Sequence, residues 1–181
     1  MGEAPSGPYP EIERWGIPRA AIAATLEEFQ PATHPGVEAG VFWLGRRSTV
    51  AQVEAVVTPK GDGIHEYAGC WQVSYQAFGR ISAWANGEGF SLLAVCHTHG
   101  GRSPALLSPR DRTHSIKAPG VLAAVVGRDG AEPDWMRWGW YEWRSGDYRL
   151  LSRLDRARRL TIDVEGAVTT WRADAFGVVP A

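Results

Sequence analysis

Cysteine is scarce in this sequence: the chain has two, Cys70 and Cys96, and neither belongs to a Cys-x-x-Cys pair. Two isolated thiols exclude a disulfide framework and argue against a thiolate zinc site, so we expect a protein of the reducing cytoplasm. No apolar run approaches the ~20 residues that span a bilayer. Residues 1–10 also lack the basic and apolar regions of a signal peptide. We therefore expect no membrane association.

The chain also lacks an excess of charge of either sign. It carries 19 Lys and Arg against 20 Asp and Glu, which gives a formal net charge of -1, and it has no basic block. Electrostatics therefore give no support to a nucleic-acid partner. The 181 residues, 44% of them hydrophobic, contain no internal repeat and suit one domain with a substantial core.

The order of the patterned segments predicts an α/β (α+β) fold with a mixed β-sheet flanked by helices. We expect a flexible N-terminal segment over 1–16, one domain over 17–172 and a C-terminal tail over 173–181. Helices are predicted over 18–30, 71–85 and 108–117. Strands are predicted over 41–45 and 50–57, which we expect to pair as a hairpin, and over 90–95 and 121–126. Further hairpins are predicted over 136–151 and 160–171. Residues 59–69 are predicted to form a polar loop.

Two histidines stand at the end of the predicted strand 90–95, in Cys96-His97-Thr98-His99. Because residues i and i+2 of a strand share a face, we expect His97 and His99 to project together, with Cα atoms about 6–7 Å apart. Two imidazoles so placed can bind one ion at Zn–N distances of about 2.0–2.1 Å. Asp111, which follows a Gly-rich turn, is the candidate third ligand. Three protein ligands and one open position are typical of catalytic zinc.

The segment Ser108-Pro109-Arg110-Asp111 also has a purely structural explanation. A serine at the N-cap, a proline at the first helical position and an acid at the third make a good helix start. The two interpretations are compatible, because the cap fixes the turn and the turn aims the carboxylate.

A zinc-activated water is a better nucleophile when a carboxylate can take its proton. The candidates for this general base are Glu38, Glu54 and Glu66. Glu54 lies mid-strand, where an outward-facing position is the simpler explanation, and Glu66 lies on the predicted loop. Glu38 comes just before the first buried strand, but spacing alone does not select among the three.

Three separated motifs, taken in order, resemble the JAMM signature of the JAB/MPN metallopeptidases over roughly residues 17–153. They are Glu38-Ala39-Gly40-Val41-Phe42-Trp43-Leu44-Gly45, His97-Thr98-His99 and Ser108-Pro109-Arg110-Asp111. Two details depart from the family pattern. Eight residues separate His99 from Ser108 where the family usually has seven, and Gly100 follows the second histidine where the family usually has proline.

The resemblance implies a single cytidine-deaminase-like JAB/MPN domain with one Zn²⁺ per chain, bound by His97, His99 and Asp111. It implies Glu38 as the general base and Ser108 as the group that hydrogen-bonds the developing oxyanion. The implied activity is hydrolysis of the amide bond after the C-terminal glycine of a ubiquitin-like protein. The implied partners are that protein and its conjugates. Bacterial relatives of this kind act in ubiquitin-like pathways, some of them antiphage, and in sulfur-carrier maturation.

Two alternatives stay open at this stage. One is a catalytically inactive MPN-type scaffold that binds proteins, and the other is a DNA-associated JAB-like branch, against which the missing basic surface argues. Several side chains have plain structural explanations: a turn for His34, a solvated loop for His65 and an exposed helix position for His114. The cluster formed by Trp135, Trp138, Trp140 and Trp143 predicts either core packing or a contact with a partner, including a homodimer.

Overall fold

The computed structural model describes residues 10–30, 36–100, 105–163 and 165–181, which form a mixed α+β fold. Its strands are β1 (Arg14–Pro18), β2 (Gly40–Arg46), β3 (Val50–Pro59), β4 (Ile64–Tyr67), β5 (Cys70–Val73), β6 (Ser91–Thr98), β7 (Leu122–Val126), β8 (Gly139–Arg144), β9 (Asp147–Leu150), β10 (Leu160–Asp163), β11 (Thr169–Ala173) and β12 (Val178–Pro180). Its α-helices are α1 (Arg19–Glu28), α2 (Tyr75–Gly87), α3 (Pro109–His114) and α4 (Arg153–Arg159). The predicted mixed sheet flanked by helices is confirmed.

The main sheet runs in the order β10-β1-β3-β2-β6-β7-β8-β9. Strand β3 is long enough to branch the sheet, because its first residues pair with β1 and its last five pair with β11, both in parallel. Strands β2 and β3 form the antiparallel hairpin that the sequence predicts. Strand β6 lies between β2 and β7, and it is parallel to β7. The histidine pair therefore stands at the end of a central strand.

Each face of the sheet has its own core. One face packs Val41, Trp43 and Leu93 together with Ile22 of α1. The other face packs Phe42 and Val95 against α2. Val95 and Leu93 face opposite sides because the register of β2 and β6 shifts between Trp43 and Leu44. In α2 the buried positions are Ala77, Ile81 and Ala85, which recur every fourth residue and so line one side of the helix. The odd-numbered residues at the end of β6, which include His97, share the face that α2 covers.

The N-terminal prediction is wrong over residues 14–16. Strand β1 begins at Arg14 and pairs with β3 on one side and β10 on the other, and Trp15 is fully buried. The Trp15 ring packs within the core that contains Ile12 and Ile17. The strand was not predicted because its apolar pattern is short and the proline and glycine residues near it favour a loop.

The C-terminal part differs from prediction in three ways. Strands β10 and β11 do not pair as a hairpin, because β10 pairs with β1 and β11 pairs with β3. Helix α4 was not predicted, although Ser152 and Asp155 form a capping box at its start. The expected tail 173–181 contains the end of β11 and the short strand β12, which pair antiparallel.

The loop predicted over 59–69 and the start of the helix predicted at residue 71 are also wrong. Strands β4 and β5 pair antiparallel as a separate two-stranded sheet, and α2 begins only at Tyr75. Ser74 is the N-cap, and its side chain accepts a hydrogen bond from the backbone N–H of Ala77. The predicted helix therefore started about one turn too early, at residue 71 and not at Tyr75.

The tryptophans of the late hairpin are mainly core residues. Trp138 and Trp140 are fully buried and stack with ring centroids 5.7 Å apart. Trp143 is partly buried and packs edge-on against Tyr148. Core packing, one of the two predicted explanations, therefore holds for the central pair. Within the described residues, no helix is long and apolar enough to cross a membrane.

Candidate metal centre and cleft

Strand β6 and the residue after it carry the two histidines to the same place. The rings of His97 and His99 lie 5.2 Å apart between centroids, and both residues are buried. The backbone N–H of His99 donates to the carbonyl of Val126 at 3.0 Å, which extends the pairing of β6 with β7 beyond the strand. The predicted shared face of the two histidines is therefore present and rigidly supported.

Helix α3 brings Asp111 to the histidines through its own cap. The Ser108 hydroxyl accepts the backbone N–H of Asp111 at 3.1 Å, and the Asp111 carboxylate accepts the backbone N–H of Ser108 at 2.7 Å. This is the capping box that the sequence predicts, although the helix ends at His114 rather than near residue 117. The cap turns the carboxylate back toward β6.

The three side chains form a compact group. Asp111 Oδ2 lies 3.1 Å from His99 Nε2 and 3.6 Å from His97 Nε2, and candidate ligand atoms of all three residues lie within 4.8 Å of one another. His97 Nε2 is buried without a hydrogen-bond partner among the described residues. A buried nitrogen without a partner costs about 1–3 kcal/mol unless something binds it. Two imidazoles and one carboxylate are ligands that zinc favours, so the group fits a metal ion.

The charge of Asp111 suits this role. Burial raises the pKa of Asp111, but the nearby His97 and His99 and the backbone N–H of Ser108 outweigh it and hold the pKa below its usual range. The carboxylate is therefore ionised at neutral pH and ready to bind a cation.

Glu38 lies beside the group because of strand pairing. Gly40 pairs with His97 across β2 and β6, and the backbone N–H of Thr98 donates to Ala39 at 2.9 Å. Continuing this antiparallel register places Glu38 opposite His99. Burial raises the pKa of Glu38, and Asp111 adds to this effect, against the opposing influence of the two histidines and the backbone N–H of Gly100. A carboxylate with a raised pKa can accept and return a proton near neutrality.

The other two base candidates lie elsewhere. Glu54 pairs with Arg46, and Glu66 accepts a hydrogen bond from Lys60. Among the described residues that line the neighbouring cavity, Glu38 is the one glutamate. Of the three candidates, Glu38 is therefore the one that lies beside the histidine–aspartate group.

The remaining histidines take varied positions. His65 and His114 are exposed, as expected, and both line the rim of the cavity. His65 lies in β4 and not in a loop. His34 falls outside the described residues, as do residues 101–104 of the segment that joins His99 to Ser108.

Sequence reasoning missed the residues that hold the segment before Ser108 in place. The backbone N–H of Leu107 donates to the hydroxyl of the buried Tyr141 at 3.2 Å. Gly139 lies so close to the carbonyl of Ala105 that a Cβ at this position would collide with it. Both residues belong to β8, which was predicted as an ordinary hairpin strand; a glycine beside two buried aromatic residues was the available signal.

Helix α3 is short, and hydrogen bonds join it and the segment after it to residues of β9. Arg112 donates to the carbonyl of Tyr148 at 2.9 Å and to Asp147 at 3.2 Å. The Tyr148 hydroxyl donates to the carbonyl of Ile116 at 2.6 Å, just beyond the helix. These bonds compensate for a helix that buries none of its own residues.

A cavity of about 490 Å³ opens next to the histidine–aspartate group. The β4–β5 hairpin forms one side of it, and this hairpin is tied to the site because the backbone N–H of Glu38 donates to Tyr67 at 3.3 Å. Within the predicted 59–69 segment, His65 and Gly69 line the cavity, and β5 supplies the rest of that wall. The volume lies within the range of about 300–1,000 Å³ that is typical of small-molecule and peptide pockets.

Fold and site together define an α+β domain with a His-His-Asp group that could bind a metal, set at one end of a cleft. No family model and no curated protein matches this sequence. Among solved structures, the chain is similar to the solution structure of a protein from Desulfitobacterium hafniense. That match has a TM-score of 0.53 and 16% identity, and it covers 84% of this chain and 94% of the other. It shows a shared fold alone.

A second similar structure is the crystal structure of a JAB1/MPN domain protein from Archaeoglobus fulgidus. That match has a TM-score of 0.40 and 15% identity, and it covers 86% of this chain and 99% of the other. A TM-score this low supports no argument about this chain, so the metallopeptidase hypothesis depends on the motifs and on the geometry of the site.

Proposed function

We propose that this protein is a zinc-dependent hydrolase of the JAMM type that cleaves the amide bond after the C-terminal glycine of a ubiquitin-like protein. The observation that carries the proposal is the meeting of His97, His99 and Asp111, with His97 Nε2 buried and without a hydrogen bond among the described residues. Glu38 beside them supplies a carboxylate with a raised pKa. A group built only for stability has no need of an unpaired buried nitrogen.

Each residue has a distinct part in the proposed reaction. His97, His99 and Asp111 would hold the ion, which when bound would polarise the scissile carbonyl and acidify water. Glu38 accepts a proton from the attacking water and returns it to the leaving amine. Ser108 uses its oxygen lone pair for the N–H of Asp111, so its hydroxyl hydrogen is left to donate to the developing oxyanion.

The choice of substrate comes from the motif resemblance. A ubiquitin-like precursor, a conjugate or a sulfur-carrier protein would each present the same chemistry, an extended tail that ends in glycine. Such a tail is narrow enough to reach buried histidines, and the bond to be broken would lie beside Glu38.

Metal content is the first experiment. Purified protein, reconstituted with Zn²⁺ and dialysed, should hold about one zinc per chain by mass spectrometry. The His97→Ala variant should lose the metal, because two remaining ligands bind zinc weakly. His114→Ala is the matched control: this histidine is exposed and lies outside the group, so its variant should keep the metal.

Activity is measured next, on ubiquitin-like fusions whose tails end in Gly-Gly before a reporter. The Glu38→Gln variant should keep its zinc and lose about 10²–10⁴-fold in turnover, since a general base contributes about that much. A wild-type protein that stays metal-free after reconstitution would overturn the proposal and favour the protein-binding scaffold. Zinc-loaded protein that cleaves none of the fusions would overturn the substrate assignment.

A further inference from the structure

The cavity beside the metal group has a polar side at the histidines and Asp111 and an apolar side next to it. Six apolar side chains line this cavity. They come from β2, β5, α2, β6 and the segment after α3, and they are Phe42, Trp71, Val73, Phe78, Val95 and Ile116. A peptide tail of glycines alone would leave these walls in contact with water. An apolar side chain placed there would remove surface from water at about 25 cal/mol per Å².

The apolar side of the cavity begins two residues along β2 and β6 from the metal group. Gly40 pairs with His97, and Phe42 pairs with Val95 in the same register. Side chains two residues apart on a strand share a face and lie about 6.5–7 Å apart. The floor of Phe42 and Val95 is therefore within reach of a side chain that flanks a peptide bond held at His97.

The aromatic walls brace one another. The ring of Phe42 lies 5.5 Å from that of Trp71 and 5.8 Å from that of Phe78, both in tilted or edge-on contacts. The Trp71 ring packs on Gly40 so closely that a Cβ there would come within 2.5 Å of it. Because these side chains are already packed against one another, little free energy is lost in ordering them when a ligand binds.

One wall also carries a polar group without a partner. The indole N–H of Trp71 is buried, and no hydrogen-bond acceptor lies within reach among the described residues. The apolar walls stand beside the metal group, so they fit a side chain of a peptide held at that group.

We propose that this cavity is a specificity pocket for one large apolar side chain, aromatic or branched aliphatic, close to the scissile bond. This inference rests on the proposed function, because it takes the substrate to be a peptide chain crossing the metal group. It adds a second requirement to the substrate: besides the glycines of its tail, the substrate has a Phe or Leu next to them.

Binding without turnover tests the pocket separately from the chemistry. Zinc-loaded Glu38→Gln protein is titrated with blocked peptides that hold a Gly-Gly pair. The residue before or after the pair is Gly, Ala, Leu, Phe or Asp, and affinity is measured by calorimetry. For one of the two positions, Leu or Phe should bind about 10- to 100-fold more tightly than Gly, the range expected for burial of one large side chain.

The variant pair Phe78→Ala and Phe90→Ala isolates the cavity. Both phenylalanines are partly buried against the same core, but Phe78 lines the cavity and Phe90 packs against Trp84 instead. In the Glu38→Gln background, Phe78→Ala should lose most of the preference for Leu or Phe, and Phe90→Ala should keep it.

Two results would overturn the pocket. The first is equal affinity for all five residues, or no binding of the Leu and Phe peptides at millimolar concentration. The second is an equal loss of preference in both phenylalanine variants. A preserved binding preference in a protein that cleaves no ubiquitin-like fusion would instead refute the proposed function and leave the pocket standing.

Discussion

Glu38, the proposed general base, is a residue whose charge is unfavourable to folding. Its side chain is buried, and burial raises its pKa above its usual range. Since the unfolded chain ionises this group first, ionisation favours unfolding. The free energy of unfolding therefore falls as the pH rises through the folded pKa and stays lower above it.

We expect Glu38→Gln to stabilise the metal-free protein at pH 7. The amide keeps an acceptor oxygen for the backbone N–H of Gly100 but carries no charge to bury. The gain should vanish below about pH 4, where both folded and unfolded wild type are protonated. Urea unfolding between pH 4 and 8 in the presence of EDTA measures it.

Glu54→Gln provides the comparison for this experiment. Glu54 is half-buried on β3 beside Arg46 and has no role in the site. This variant controls for the loss of one carboxylate away from the site. If Glu38→Gln instead lost stability on going from pH 4 to pH 7, the carboxylate would be a stabilising group and the inferred pKa direction would be wrong.

At the scale of elements, α4 is held by one arginine that reaches three partners. Arg159 forms a two-pronged ion pair with Glu142 at 2.6 and 3.0 Å and donates to the carbonyls of Ile12 and Glu13, each at 3.1 Å. Its guanidinium also lies 4.8 Å from the centroid of the Trp15 ring. Glu142 is 3% exposed, so this pair joins β8, α4 and the chain before β1 in a buried contact.

We expect Arg159→Met to destabilise the protein by about 3–5 kcal/mol, because it leaves the Glu142 carboxylate buried and unpaired. Arg158→Met, at the exposed neighbouring position, should change stability by less than about 0.5 kcal/mol. Chemical denaturation of both variants measures the difference.

A second variant separates charge from packing. Adding Glu142→Gln to Arg159→Met removes the unpaired charge and should recover a large part of the loss. If the double variant is no more stable than Arg159→Met, the contribution of Arg159 is packing against Trp15 and not charge pairing.

The sequence did not predict which strands pair when the partners lie far apart in the chain. Strands β2 and β3 are separated by a short turn, and their pairing was predicted correctly. Strands β10 and β11 have the same appearance in sequence, yet each pairs in parallel with a strand more than a hundred residues earlier. No local pattern distinguishes these two outcomes, because the competing partners are not local.

The site followed the same rule. The spacing of His97 and His99 and the cap at Ser108 are local features, and both predictions match the structure. The selection of Glu38 and the support from Tyr141 depend on how β2, β6 and β8 lie side by side. The resemblance to a known motif supplied the first of these, and only the fold supplied the second.

At the scale of the whole molecule, β1 unites the two ends of the chain. It lies between β3 and β10, and Trp15 stands opposite Leu160. We expect the amide protons of residues 15–17 to exchange only with a free energy close to that of global unfolding, since both neighbours of this strand must separate first.

Hydrogen exchange followed by mass spectrometry or NMR checks this expectation. Residues 178–179 of β12 provide the internal reference, because this short strand pairs with β11 alone and should exchange faster. Fast exchange at both sites would contradict it and would mean that β1 opens independently of global unfolding.

Ser108 and Asp111 cap α3, and the proposed function gives each of them a second role in the site. The capping box they form is repeated at Ser152 and Asp155, where no histidine group stands nearby within the described residues. Under the proposed function, a lineage that lost catalysis would still be under selection to keep Ser108 and Asp111, because they cap α3. His97 caps no helix, so under the same proposal its loss or retention would separate active descendants from inactive ones.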